Sequence, residues 1–119
     1  MKDYIKKFKS LGDGTRIRIL KLLIEVDQLY VCDIVASLNL PFYCISRHIK
    51  ELKNAGLLEE QRDGKFIKYF FKDKNDKFIF NLINFLKSID DETFKMDKKR
   101  LIERIKSRNK LCCKLLKKR

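Results

Sequence analysis

Residues 45–71 read ISRHIKELKNAGLLEEQRDGKFIKYFF, and the change of hydrophobic period inside this stretch decides the fold. Its first half is helical. Ile45, Ile49 and Leu52 fall at i, i+4 and i+7, the spacing that puts side chains on one face of an α-helix. Tyr43, Ser46, Arg47 and Lys50 share the opposite face. Gly56 suits the position just past the helix, where the backbone turns left-handed and a Cβ is costly. The second half is extended. Asp63-Gly64 stands between two β-prone runs, a strong hairpin signal, because a type I′ turn needs positive φ at both central residues. Alternation sends Ile67, Tyr69 and Phe71 to one face of this hairpin and Phe66, Lys68 and Phe70 to the other.

Working upstream, residues 32–40, CDIVASLNL, predict a short helix with Ile34, Val35 and Leu38 facing inward. Pro41 ends it, since proline cannot continue a helix and restricts Leu40 before it. Residues 12–26, GDGTRIRILKLLIEV, predict a longer helix capped by Asp13. Ile17, Leu20, Leu23 and Ile24 make its buried stripe, while Arg16, Arg18 and Lys21 stay polar. Between these two helices, QLY is a plain connection. Tyr4, Ile5, Phe8 and Leu11 give a first amphipathic helix. Downstream, residues 76–89 predict a fifth helix and the basic segment from Asp97 a sixth. No internal repeat or second domain is visible. Residues 1–94 hold the DNA-binding unit with its flanking helices, and residues 95–119 are a basic terminal helix of the same domain.

Two short helices joined tightly, the second exposing Ser46, Arg47 and Lys50, followed by a basic hairpin, predict a winged helix-turn-helix: mainly α with a small β-hairpin. A helix fits the major groove of B-DNA and its outward side chains reach base edges. Tyr43, Ser46, Arg47 and Lys50 are the candidate readers. Arg62, Lys65 and Lys68 on the hairpin would meet phosphates, which position the protein without specifying sequence.

Composition agrees and narrows the function. The chain has 119 residues, 45% of them hydrophobic, nine Phe and no Trp, enough for one modest core. Its net charge of +13 points to a polyanionic partner, nucleic acid before an anionic membrane. Much of that charge is local. Residues 95–119 carry 12 Lys+Arg against 2 Asp+Glu, leaving 17 against 14 for the other residues. DNA binding by the body must therefore rest on placement, not on total charge. The start, MKDYIKKFKS, lacks the apolar core of a secretory signal. No apolar run approaches the roughly 18 residues of a membrane span. A cytoplasmic protein without a membrane partner is expected, its four Cys in a reducing compartment where thiols more often serve metal or redox chemistry than disulfides. No phosphate loop, His-Cys-Asp pairing or catalytic carboxylate pair argues for an enzyme.

The segments LGDGTRIRILKLL, LYVCDIVASLNL and ISRHIKELKNAGLLEEQRDGKFIKYFF, from Leu11 to Phe71, resemble the ArsR/SmtB family of metal- and metalloid-responsive bacterial repressors. The most specific pieces are SRHIKELKNAGLL and DGKFIKY. The resemblance implies a homodimer joined through its terminal helices. It implies a near-palindromic operator as DNA partner, and release when an inducer binds. In the arsenic and cadmium type of the family, a Cys-Val-Cys-Asp segment supplies thiolates at the third helix. Here it reads YVCD: Cys32 matches the second thiol and Tyr30 replaces the first. Gly14 stands where the family usually has Pro, and Phe42-Tyr43 replace polar residues before the recognition helix. The family's zinc site on the helix after the wing needs His, which the fifth helix lacks.

Cys32 sits near a helix N-terminus, where the dipole favours a thiolate. It is a candidate soft-ion ligand, or else a small residue left inert without its partner. Cys112 and Cys113 are adjacent in the basic tail. Together with Cys32 they would give three sulfurs, the set that trivalent arsenic prefers; Cd, Pb and Zn are weaker candidates. Alternatively the pair packs with Leu111, Leu115 and Leu116 in a dimer seam, or forms a disulfide or persulfide switch with Cys32. Cys44 fits a packing role, and His48, the single histidine, a structural or DNA-backbone role. No resident cofactor is expected. The leading expectation is a homodimeric repressor induced by arsenite or another soft ion. A redox-sensing repressor of the same fold and an inducer-free architectural DNA-binding protein remain as alternatives.

Overall fold

The computed structural model describes the backbone of residues 1–117 and the side chains of residues 1–107. The elements run α1 (Lys2–Ser10), α2 (Gly14–Glu25), β1 (Leu29–Tyr30), α3 (Val31–Leu38), α4 (Phe42–Asn54), β2 (Leu58–Asp63), β3 (Phe66–Phe71), α5 (Lys77–Ser88) and α6 (Glu92–Lys117). The architecture is the expected winged helix-turn-helix. The small sheet has the antiparallel order β1-β3-β2, with Leu29 opposite Tyr69 and Leu58 opposite Phe71.

α2 is the axis of the core. Asp13 caps it as expected, its carboxylate accepting the Thr15 amide at 2.8 Å and the Arg16 amide at 3.2 Å. Its buried face is broader than one stripe: Ile19, Leu20, Leu22 and Leu23 are all buried, while Ile17 and Ile24 pack only partly against the core. Other elements close on the helix from several sides, so both of its apolar flanks are covered. Ile34 and Leu38 of α3 and Ile45, Ile49 and Leu52 of α4 complete the reading head. The helix end at Gly56 has the geometry its sequence implies. Gly56 has φ of +83°, its amide donates to Lys53 O at 2.9 Å, and the Leu57 amide donates to Leu52 O at 3.0 Å.

Three local expectations are corrected. The hairpin's last pair is Asp63 with Phe66, so its central residues are Gly64 and Lys65, not Asp63 and Gly64. Only Gly64 has positive φ, +63°, which excludes a type I′ turn. Aspartate ends the strand instead of entering the turn. The segment QLY is not a plain connection: Leu29 and Tyr30 add a third strand on the free side of β3. Two residues are too few to leave a periodic trace. Finally, α6 begins at Glu92, ahead of Asp97.

Candidate DNA-reading surface and thiol site

α3 and α4 are joined by a three-residue turn. Asn39 takes the left-handed conformation, φ 56° and ψ 46°, which its short polar side chain tolerates better than most. Pro41 then opens α4 without a side-chain cap, leaving the first amides to a solvent or phosphate oxygen. With Ile45 and Ile49 buried, the opposite face is outward: Tyr43, Ser46, Arg47 and Lys50 are exposed together, as the sequence predicts. Phe42, beside them, is exposed as well.

The hairpin stands next to this helix. Arg62 and Lys65 are exposed near its tip and Lys68 is half-buried on β3. Two ties hold the hairpin in place. Lys53 of α4 pairs with Glu60 of β2. Tyr30, at the start of α3, donates its hydroxyl to the Asp63 carboxylate at 2.5 Å and sets its ring edge-on to Phe66, centroids 5.7 Å apart. The sequence marks Tyr30 only as the replacement for a thiol; in the fold it fastens the wing to α3. The signal was obscure because its partners lie more than 30 positions away.

Cys32 occupies the second position of α3 and is half-buried. Asp33, next to it, is fully buried. Its carboxylate accepts the Tyr30 amide at 3.1 Å and Arg104 Nε from α6 at 3.1 Å. Burial works against the Arg104 charge, yet hydrogen bonds to the Asp33 carboxylate and the Cys32 sulfur lift its pKa above the ordinary arginine value. The head of α3, where Cys32 sits, is thus tied to α6 through Arg104 and Asp33.

A second tie holds the other end of α3. Arg100 donates Nε to Ser37 O at 2.6 Å, and Arg18 donates Nη2 to Leu38 O at 3.0 Å, cations placed where the helix dipole is negative. Both also grip the buried Asp97, each at 2.8 Å. The Asp97 hydrogen bond raises the Arg18 pKa although burial opposes it. Arg18 and Lys21, expected merely to stay polar, therefore have work inside the fold. Lys21 Nζ donates to Leu86 O at 2.8 Å and Ile89 O at 3.0 Å, capping the end of α5.

The side chains of Cys112 and Cys113 lie outside the described residues. Among the described residues, no group of three His, Cys, Asp or Glu side chains could hold a metal ion. Cys44 is half-buried on α4. His48 Nδ1 lies 3.8 Å from Asp13 Oδ1, beside the α2 cap. Among the described residues, no helix is long and apolar enough to cross a membrane.

Residues 13–60 match the family described as bacterial regulatory protein, arsR family. An uncharacterized HTH-type transcriptional regulator of Methanocaldococcus jannaschii is 39% identical over 65% of this chain and 86% of its own length. The arsenic resistance transcriptional regulator ArsR1 of Pseudomonas putida is 30% identical over 81% of this chain and 75% of its own. The cadmium regulator CadC of Listeria innocua and the arsenical resistance operon repressor of Escherichia coli also match, but the chain spans little more than half their length, 55% and 56%. Among solved structures, the winged helix-turn-helix domain of Mb0332 from Mycobacterium bovis, described as homodimeric, superposes with a TM-score of 0.65. It is 23% identical, over 72% of this chain and 76% of that one.

Proposed function

Because the chain belongs to the ArsR family, as a winged-helix DNA-binding transcriptional repressor and not an enzyme, we propose that it is a cytoplasmic homodimer that leaves a near-palindromic operator when a soft, thiol-binding ion engages Cys32. Arsenite is the first choice of inducer. Cadmium is the second choice, by likeness to the cadmium and arsenical regulators. Tyr43, Ser46, Arg47 and Lys50 read the operator, and Arg62, Lys65 and Lys68 hold its phosphates. In the dimer, two recognition helices stand about 34 Å apart, one turn of DNA.

The observation that carries the sensing reading is the tie of α6 to the head of α3, where Arg104 donates to Asp33, beside Cys32, at 3.1 Å. The helix that carries Cys112 and Cys113 already leans on the head of α3, and α3 packs against α4. An ion shared by Cys32 and the tail thiols loads the junction where Arg104 meets Asp33 and shifts α3, and the recognition helix moves with it. The pair stands eight and nine residues beyond Arg104, roughly 12–14 Å of helix axis. Tail thiols therefore reach Cys32 by bending back or from the second copy. A coupling of about 1–3 kcal/mol weakens operator binding 5–150-fold.

The experiment replaces Cys32, Cys112 and Cys113 singly by Ser and follows operator anisotropy during arsenite titration of the reduced protein. Release is expected to fail in Cys32→Ser and in at least one tail variant. Mixed dimers of Cys32→Ser with the double tail variant regain one site if the thiols come from different copies. Undiminished release in all three single variants removes the thiol site and leaves the repressor.

A further inference from the structure

The recognition helix begins with two aromatic rings that face water. Phe42 is 60% and Tyr43 is 72% exposed. They lie on the rim of the concave surface between α4 and the hairpin, which Ser46, Arg47, Lys50 and Tyr69 also line. Tyr43 heads the stripe of Ser46, Arg47 and Lys50 at i+3, i+4 and i+7, so a duplex gripped by those cations meets the ring. In helix-turn-helix docking, the N-terminal residues of the recognition helix are the ones that contact base edges. An exposed phenyl ring has no hydrogen bond to offer there. The major groove presents one apolar group to match it, the C5-methyl of thymine.

We propose that Phe42 and Tyr43 read thymine methyl groups, and that each half-operator carries thymine opposite the first turn of α4. This rests on the operator-binding reading and adds the base class that it selects. Arg47 and Lys50 supply attraction from the same face, and the rings supply preference by covering a methyl that the other three base pairs do not show at that place.

The test starts from short duplexes enriched from a random-sequence pool by the full chain. In the best duplex each thymidine is replaced in turn by deoxyuridine, which removes the methyl and keeps the pairing. One or two replacements per half-site are expected to weaken binding about fourfold each, the worth of one buried methyl-sized group. Phe42→Ala and Tyr43→Ala should bind the thymidine duplex more weakly and lose the discrimination at a matching position. Tyr43→Phe should keep it. Lys50→Ala should weaken thymidine and deoxyuridine duplexes alike. Far-UV circular dichroism confirms that these surface variants fold. A sequence-specific duplex whose affinity no deoxyuridine alters overturns the inference and spares the operator reading, as does discrimination that survives in both alanine variants. Enrichment of no sequence at all overturns both.

Discussion

Asp13 shows how much a single side chain can organise here. It satisfies two free amides at the start of α2, the helix on which the core is built. Burial tends to raise its pKa, but the amides of Arg16 and Thr15 and the charges of His48 and Arg16 bring it below the ordinary carboxylate value. The charged cap therefore stabilises the fold above the unfolded-state pKa, and this contribution is lost as pH falls through the lower folded value. Asp13→Ala should cost about 1 kcal/mol in urea unfolding at neutral pH. The difference from the parent should close in acid, below the usual carboxylate range. An undiminished gap there would mean that something other than the ionised carboxylate sets the helix start.

At the scale of elements, the decisive arrangement is α6 laid along α3 and tied at both ends, by Arg104 to Asp33 and by Arg100 to the carbonyl of Ser37. Asp97 lies beneath the second tie, buried between Arg18 and Arg100. Asp97→Ala leaves two guanidiniums facing each other without a counter-charge. Breaking a buried pair usually costs 3–5 kcal/mol; both arginines keep some solvent, so about 2 kcal/mol is expected by chemical denaturation. Operator affinity should fall in the same variant, because α3 supports α4. A loss within experimental error would mean that α6 is a passive cover. None of these ties was legible in the sequence. Helices α1 to α5 and the hairpin announce themselves through local period, caps and turn residues: Asp13, Pro41, Gly56, the alternation of residues 66–71. Arg18, Asp97, Arg100 and Arg104 look like ordinary surface charges, and only the fold joins residue 18 to residue 97 or 33 to 104. For the same reason Cys32 could be picked out by type and place, while its guanidinium neighbour could not.

The molecule as a whole exposes more apolar surface than its own core can use. Tyr4, Ile5 and Phe8 of α1 are exposed, Phe8 by 65%, and Phe85 of α5 by 65%. Phe78 of α5 binds the first group from beside, its ring 5.2 Å from that of Phe8 and edge-on. Exposed aromatics on α1 and α5 are what a second copy would bury. Phe42 and Tyr43 of α4 form a separate exposed aromatic pair, and a dimer built on α1 and α5 leaves them free for DNA. A net charge of +13 opposes association at long range, so the apolar face must outweigh it, and added salt should strengthen the dimer while weakening DNA binding. Phe8→Glu places a carboxylate in the middle of this face. It should turn a dimer into a monomer in sedimentation equilibrium with the fold intact by circular dichroism, since Phe8 contributes little to the monomer core. Operator affinity should drop at least tenfold, because one recognition helix then contacts one half-site alone and loses the linked second binding event. A Phe8→Glu protein that remains dimeric and binds as before would place the interface on another face, and the exposed rings of α1 and α5 would need a different occupant.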